Sequence, residues 1–404
     1  MAQISLQAKE ESPVQTATRA SSRLFFIDHL RAVLLIFVVL HHVAMVYGAS
    51  APFYYVEPPF DDPLAFNQLM VFALSNQAWH MGAFFLLAGY FTPRSFDRKG
   101  STAFLKGRLI RLGIPLLVYI FILNPISELG TFLMPSSLTG ITGAPTLSLY
   151  PELIGLGPLW FVAMLLVFNF VYMAWRWLTR SAAHTENRPP LPLTYLQIAL
   201  FVLVLAVVSY FWRIVVPLGQ SVNVFVDFLN FPSIAYLPQY TTFFVLGIVA
   251  YRNDWFRTLP SSMGVVGFVF AGLAAVALFP LAISGQLLSL EITPMMTNAM
   301  GNGHWQSAVY VLWDSIFAVG MTLGSITLFR RFFNEQGWLG TFLAQHSYAV
   351  YVLHIPIVVY LAYALRLLEL PTLLKAGVAA VVIVPVCFIV AYLVRKLPYV
   401  ARVL

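Results

Sequence analysis

Charge is what this chain lacks most. Of its 404 residues only 10% are Asp, Glu, Lys or Arg, whereas 60% are hydrophobic. A soluble domain carries about 25% charged residues, so the deficit excludes an ordinary globular fold and points to an all-α polytopic membrane protein. Cysteine is nearly absent. Cys387 stands alone in an apolar run, which excludes a disulfide scaffold and a cysteine-ligated zinc cluster. Missing too are a phosphate-cradling glycine loop of the Walker type, a His-Glu-x-x-His pair and a Gly-x-Ser-x-Gly elbow. ATP-driven transport, zinc proteolysis and serine hydrolysis therefore have no local support, and no metal is expected. A separate soluble domain is also missing, because the loops are too short to form one.

What remains is a succession of apolar runs. Residues 1–22 are polar and read as a disordered cytoplasmic tail. Residues 23–404 read as one transmembrane domain of about ten spans: 27–48, 67–91, 108–126, 158–178, 194–212, 235–251, 262–282, 306–329, 343–364 and 373–394. Ala49-Ser50-Ala51 imitates a signal-peptide cleavage site, but the polar lead before the first span exceeds 20 residues and contains Glu10, Glu11 and Asp28, which argues for retention.

The net charge of +7 reports topology and not nucleic-acid binding, since the cations fall in short loops. Segments after even-numbered spans hold Arg94, Arg98, Lys99 and Lys106, then Arg180 and Arg188, Arg252 and Arg257, Arg330 and Arg331, and Arg395, Lys396 and Arg402. Segments after odd-numbered spans are acidic or neutral, with Arg213, Arg366 and Lys375 as the exceptions. Lys and Arg concentrate on the cytoplasmic side, so both termini are expected inside.

Three sets of residues could carry chemistry. Arg31 and His42 are eleven positions apart on the first span. At about 100° per residue they share a helix face, roughly 16 Å apart along the axis, with Arg31 at the cytoplasmic mouth and His42 in the outer half. An ionisable group within a membrane is a functional candidate by default; the bland reading puts Arg31 among headgroups and His42 in an interhelical hydrogen bond. His80, near mid-membrane on span 2, has the same two readings. The second set is basic: Arg94, Arg98, Lys99, Lys106, Arg108 and Arg111 fall within eighteen positions, with Arg108 and Arg111 one turn apart. Arginine matches phosphate oxygens, so the set suits a phosphorylated cytoplasmic ligand or anionic lipid. The third groups His42 with Asp314 of span 8 and His354 of span 9, at comparable depth. A carboxylate beside an imidazole would orient it as a general base; otherwise Asp314 bonds a Trp or Tyr of a neighbouring span.

Together these residues resemble the membrane-bound acyltransferase family 3. Arg31 and His42 with ten residues between them resemble its first-span signature. Phe84-Phe85-Leu86-Leu87-Ala88-Gly89-Tyr90-Phe91 is similar to its Phe-Phe-x-x-Ser-Gly-Phe stretch, with Ala88 in place of the serine. Arg108, Arg111 and Gly113-Ile114-Pro115 look like its basic entry to span 3, and Gly157-Pro158-Leu159-Trp160-Phe161 and Ser347-Tyr348 through His354 are similar to recurring segments. The resemblance covers residues 23 to about 395 and looks strongest toward glucan-modifying members. It implies acyl-coenzyme A as donor, with acetyl the expected group, held through its phosphates by Arg31, Arg108 and Arg111. It also implies an envelope or exported carbohydrate, or a glycolipid, as acceptor, and His42 as the base. Direct transfer and a transient acyl-enzyme both fit. A different class, a proton-coupled secondary transporter relaying protons through His42, Asp314 and His354, predicts flux without thioester cleavage; a lipid-binding protein without turnover is the third reading.

Overall fold

The computed structural model describes residues 23–48, 53–57, 62–179, 190–224 and 229–404. The expected tail at 1–22 and Ala49–Ala51 lie outside the described residues.

Ten long helices follow one another: α1 Phe25–Tyr47, α2 Pro63–Lys99, α3 Ser101–Leu133, α4 Trp160–Leu178, α5 Tyr195–Val215, α6 Leu237–Arg252, α7 Ser261–Ser284, α8 Trp305–Phe332, α9 Trp338–Ala364 and α10 Thr372–Arg395. Among the described residues, nine helices are long and apolar enough to cross a membrane. The one of the ten outside that set is α2, where Asn76, Gln77 and His80 dilute the apolar run. At 37 residues, or about 55 Å, it is long enough, and packing between α1 and α6 shields its polar positions from lipid. The sole strands among the described residues form a short antiparallel ribbon, Val222–Val224 with Leu229–Phe231.

Local chemistry sets the ends. Asp62 caps α2 by accepting from the Ala65 N–H at 3.0 Å, with Pro63 at the first helical position. Thr194 and Gln197 form a reciprocal capping box on α5. Inside the bundle, close approach of backbones replaces the hydrophobic effect as the packing force, since lipid is as apolar as leucine. A Cβ at Gly89 of α2 would strike the Phe244 carbonyl of α6, and one at Gly247 of α6 would strike Leu86 of α2. Gly267 and Gly320 do the same for α7 and α8.

The helix α3 is irregular for a stated reason. Pro115 and Pro125 lack the N–H that would bond the carbonyls of Arg111 and Phe121 four residues earlier. π-helical turns appear at Leu109–Gly113 and Tyr119–Leu123. The hydroxyls of Tyr348 and Tyr150 donate to those two carbonyls, each at 2.7 Å. An orphan carbonyl in hydrocarbon costs several kcal/mol, so each tyrosine mends what a proline opens.

Helix direction alternates as the charge pattern requires. Asp97, at the end of α2, pairs with Arg176 at the end of α4 and Arg252 at the end of α6, both at 3.1 Å. Arg330 of α8 donates to the carbonyls of Phe256, Arg257 and Leu259 just beyond α6. The His29 ring at the start of α1 bonds the Phe333 carbonyl after α8 at 2.7 Å. One end of the bundle thus gathers the basic helix ends.

Candidate active site

The helix α1 is the bundle's central strut, packed against α2, α8, α9 and α10. His42 projects from it, partly buried. Its Nδ1 lies 2.8 Å from the Val38 carbonyl and 3.2 Å from Nε2 of His354 on α9. Nδ1 of His354 lies 2.8 Å from the Tyr351 carbonyl. A carbonyl only accepts, so both Nδ1 atoms carry the proton. The Nε2 of His354 is then a lone pair receiving the shared Nδ1–H of His42. These partners assign His42 the tautomer whose Nε2 lone pair is available, which is what a general base needs.

The structure therefore brings together His42 and His354, 312 positions apart in sequence but adjacent in space. It does not bring in Asp314. That carboxylate is engaged by Arg213 of α5 at 2.6 Å, with both side chains buried, and accepts from the Ser315 hydroxyl at 3.4 Å. Tyr236 and Tyr310 face the Arg213 guanidinium, 4.6 and 5.7 Å from ring centre to Cζ. Among the described residues Asp314 makes no hydrogen bond to either histidine. The expected carboxylate–imidazole pairing is corrected: equal depth along helix axes says nothing about azimuth, and Asp314 turns toward α5. The partner of His42 is a second imidazole.

Two further histidines extend the group. His41 lies 5.5 Å from His42 and 5.9 Å from His80, ring centre to ring centre, and its Nδ1 is buried without a hydrogen-bond partner. The His80 ring bonds the Asn76 carbonyl one turn earlier. From the loop after α1, Phe53 stacks on His42, centroids 5.5 Å apart and planes 24° from parallel. Beside it the Tyr54 hydroxyl donates to Asn124 at 2.8 Å; burial first, then the Glu128 carboxylate, pushes that phenol above its ordinary range and keeps it a donor. Phe53 gave no signal in the sequence, since an aromatic in a loop has no period to mark it. Tyr351, Phe53 and His41 join the site through ring contacts only coordinates can reveal.

Arg31, Arg108 and Arg111 do converge. Arg31 is exposed and feels the charge of Arg111; Arg108 feels both. The nearest acid, Asp28, is bonded by Arg23 at 2.8 Å. No acidic side chain hydrogen-bonds any of the three among the described residues, and Nε of Arg108 is buried without a partner. Asp28 offsets part of the charge on Arg31, but the three guanidinium groups still repel one another, and a polyanion would relieve that cost. Between Arg31 and His42 the shared face of α1 is filled by Leu35 and Val38, 2% and 3% exposed.

Fold and site define a multi-pass membrane protein with an imidazole pair in its interior and an arginine cluster toward one end. The chain belongs to the acyltransferase-3 family: residues 24–392 match its acyltransferase domain, so this is a membrane O-acyltransferase. It is similar to the glucans biosynthesis protein C of Salmonella paratyphi B and that of Salmonella heidelberg, 26% identical to each over 355 residues, covering 84% of this chain and 83% of each relative.

Proposed function

We propose that the chain transfers an acyl group, acetyl in the first instance, from cytoplasmic acyl-coenzyme A to a hydroxyl of an envelope or exported carbohydrate in a bacterial inner membrane. The family supports acyl transfer, and similarity to a glucans biosynthesis protein supports a carbohydrate acceptor. The observation that carries the mechanism is the tautomer of His42, with Nδ1–H held by Val38 and His354.

The diphosphate and 3′-phosphate of coenzyme A would meet Arg31, Arg108 and Arg111. The pantetheine arm, long and thin, would part Leu35 and Val38 to carry the thioester along the face of α1 toward His42. His42 Nε2 takes the proton of the acceptor hydroxyl while that oxygen attacks the thioester carbon. The tetrahedral intermediate expels the coenzyme A thiolate, which receives the proton from His42, and the ester departs. During this step the imidazolium is stabilised through Nδ1–H by a carbonyl and by the His354 lone pair. Asp314, once grouped with the histidines, belongs instead to the Arg213 ion pair. The basic end of the bundle, from which Arg31 starts, is the cytoplasmic one in this reading, with both termini inside.

The test supplies cells or membranes carrying the protein with radiolabelled acetyl-coenzyme A and fractionates the envelope. Label in an alkali-labile ester of a carbohydrate fraction, with release of coenzyme A, is the expected result. Substrate movement across the membrane with the thioester intact would instead identify a transporter.

A further inference from the structure

We infer that Phe53 is a positioning residue that covers the base and decides whether the acyl group passes to a hydroxyl acceptor or to water. This rests on the proposed function of His42. The argument is one of directions around a single ring. The Nδ1 edge of His42 is occupied by Val38 and His354. One face is covered by Phe53 at 24°, and His41 stands edge-on nearby. The Nε2 edge is what remains. An apolar ring stacked on the imidazole restrains its plane and occupies one of its two faces.

The segment carrying Phe53 is built to stay in place. The Glu57 N–H donates to the Val46 carbonyl at 2.9 Å, returning the chain to the end of α1. The Val56 N–H reaches Met134 Sδ, and the Tyr54 hydroxyl reaches Asn124. Gly130 gives room for the Tyr54 carbonyl, which a Cβ there would strike. Both Glu57 oxygens are used, one by the Tyr55 hydroxyl and one by Lys375 at the outer end of α10. Lys375 also donates to the Arg366 carbonyl. A strap drawn from α1, α3 and α10 thus delivers one phenyl ring to one imidazole.

The consequence follows from the chemistry of the step. If water reaches Nε2, its proton goes to His42, hydroxide attacks the thioester carbon, and the coenzyme A thiolate leaves with that proton. The products are a free carboxylic acid and coenzyme A, and the donor is wasted. Excluding water from a reactive intermediate is a recognised role of active-site closure.

Two readouts on the full-length protein test this. The first does not depend on turnover: the rate of carbethoxylation of His42 by diethyl pyrocarbonate, read by peptide fragmentation and referred to the exposed His304. The second is coenzyme A released from acetyl-coenzyme A without acceptor, as a ratio to ester formed with acceptor. Phe53→Ala should raise both on the order of tenfold, Phe53→Trp should restore them, and Glu57→Gln should move them in the direction of Phe53→Ala. Phe53→Leu keeps bulk but loses the plane, and serves where the smaller variant fails to fold; it should show the intermediate value. Unchanged carbethoxylation of His42 in Phe53→Ala or Phe53→Leu overturns the cover. Faster carbethoxylation in a protein with no acyl-transfer activity upholds the cover and rejects the functional reading on which the partition rests.

Discussion

At the scale of single residues, the pair that matters is His42 and His354. Sequence gave reasons to single out both, but not to join them, since a residue's depth is readable from its span and its azimuth is not. In the proposed mechanism His354 acts through His42 by accepting Nδ1–H. His354→Gln keeps an acceptor at that place and should retain most activity. His354→Leu removes it and should lower kcat by about tenfold or more, with little change in KM for the donor. Steady-state kinetics on the two variants separate this from a packing role, in which both would lose activity alike. In the proposed function Arg31 meets the phosphate end of the donor. Loss of a charged contact worth about 1.5–3 kcal/mol predicts a rise in KM for acyl-coenzyme A of about tenfold or more in Arg31→Ala. Unchanged donor affinity, by titration calorimetry, would leave Arg31 with a topological role only.

At the scale of elements, the sequence was legible where apolar length decides and illegible where side chains repair backbone. Spans expected at 262–282 and 373–394 became Ser261–Ser284 and Thr372–Arg395. Span 3, expected at 108–126, became Ser101–Leu133, and tyrosines from elsewhere in the chain sustain it through the two prolines inside it. That repair is testable as a double-mutant cycle. Tyr348→Phe leaves the Arg111 carbonyl unpaired and should cost about 1–3 kcal/mol. Pro115→Ala returns an N–H to the same turn, so the cost of Tyr348→Phe should shrink in that background; thermal unfolding in detergent measures it. The Arg213–Asp314 pair joins α5 to α8 in a similar way. Removing one partner strands a buried charge, so Asp314→Leu should destabilise by about 3–5 kcal/mol, and Arg213→Met with Asp314→Leu should recover much of that. Activity per folded molecule should survive in the double variant. If it does not, Asp314 has a part in the chemistry after all.

At the scale of the whole molecule, the three cations that broke the charge pattern have become its explanation. Arg213 is neutralised by Asp314, Lys375 by Glu57, and Arg366 lies over the Tyr363 ring while donating to its carbonyl. Arg213 and Lys375 are thus paired ions and not free loop charges of the sort that orients a membrane protein. Among the described residues Arg176, Arg252 and Arg330 sit at helix ends tied to one another's neighbours, and this alternation is why ten helices could be read from composition and spacing. The catalytic geometry could not, because it depends on which faces of α1, α9 and the loop before α2 meet.

The central claim is that one imidazole deep in the bundle moves the proton. Its most direct measurement is the rate of coenzyme A release, with acceptor present, by purified His42→Ala whose thermal unfolding matches the unsubstituted protein. Positioned proton transfer predicts a loss on the order of 10²–10⁴-fold. Release at the original rate by that folded variant would contradict the account.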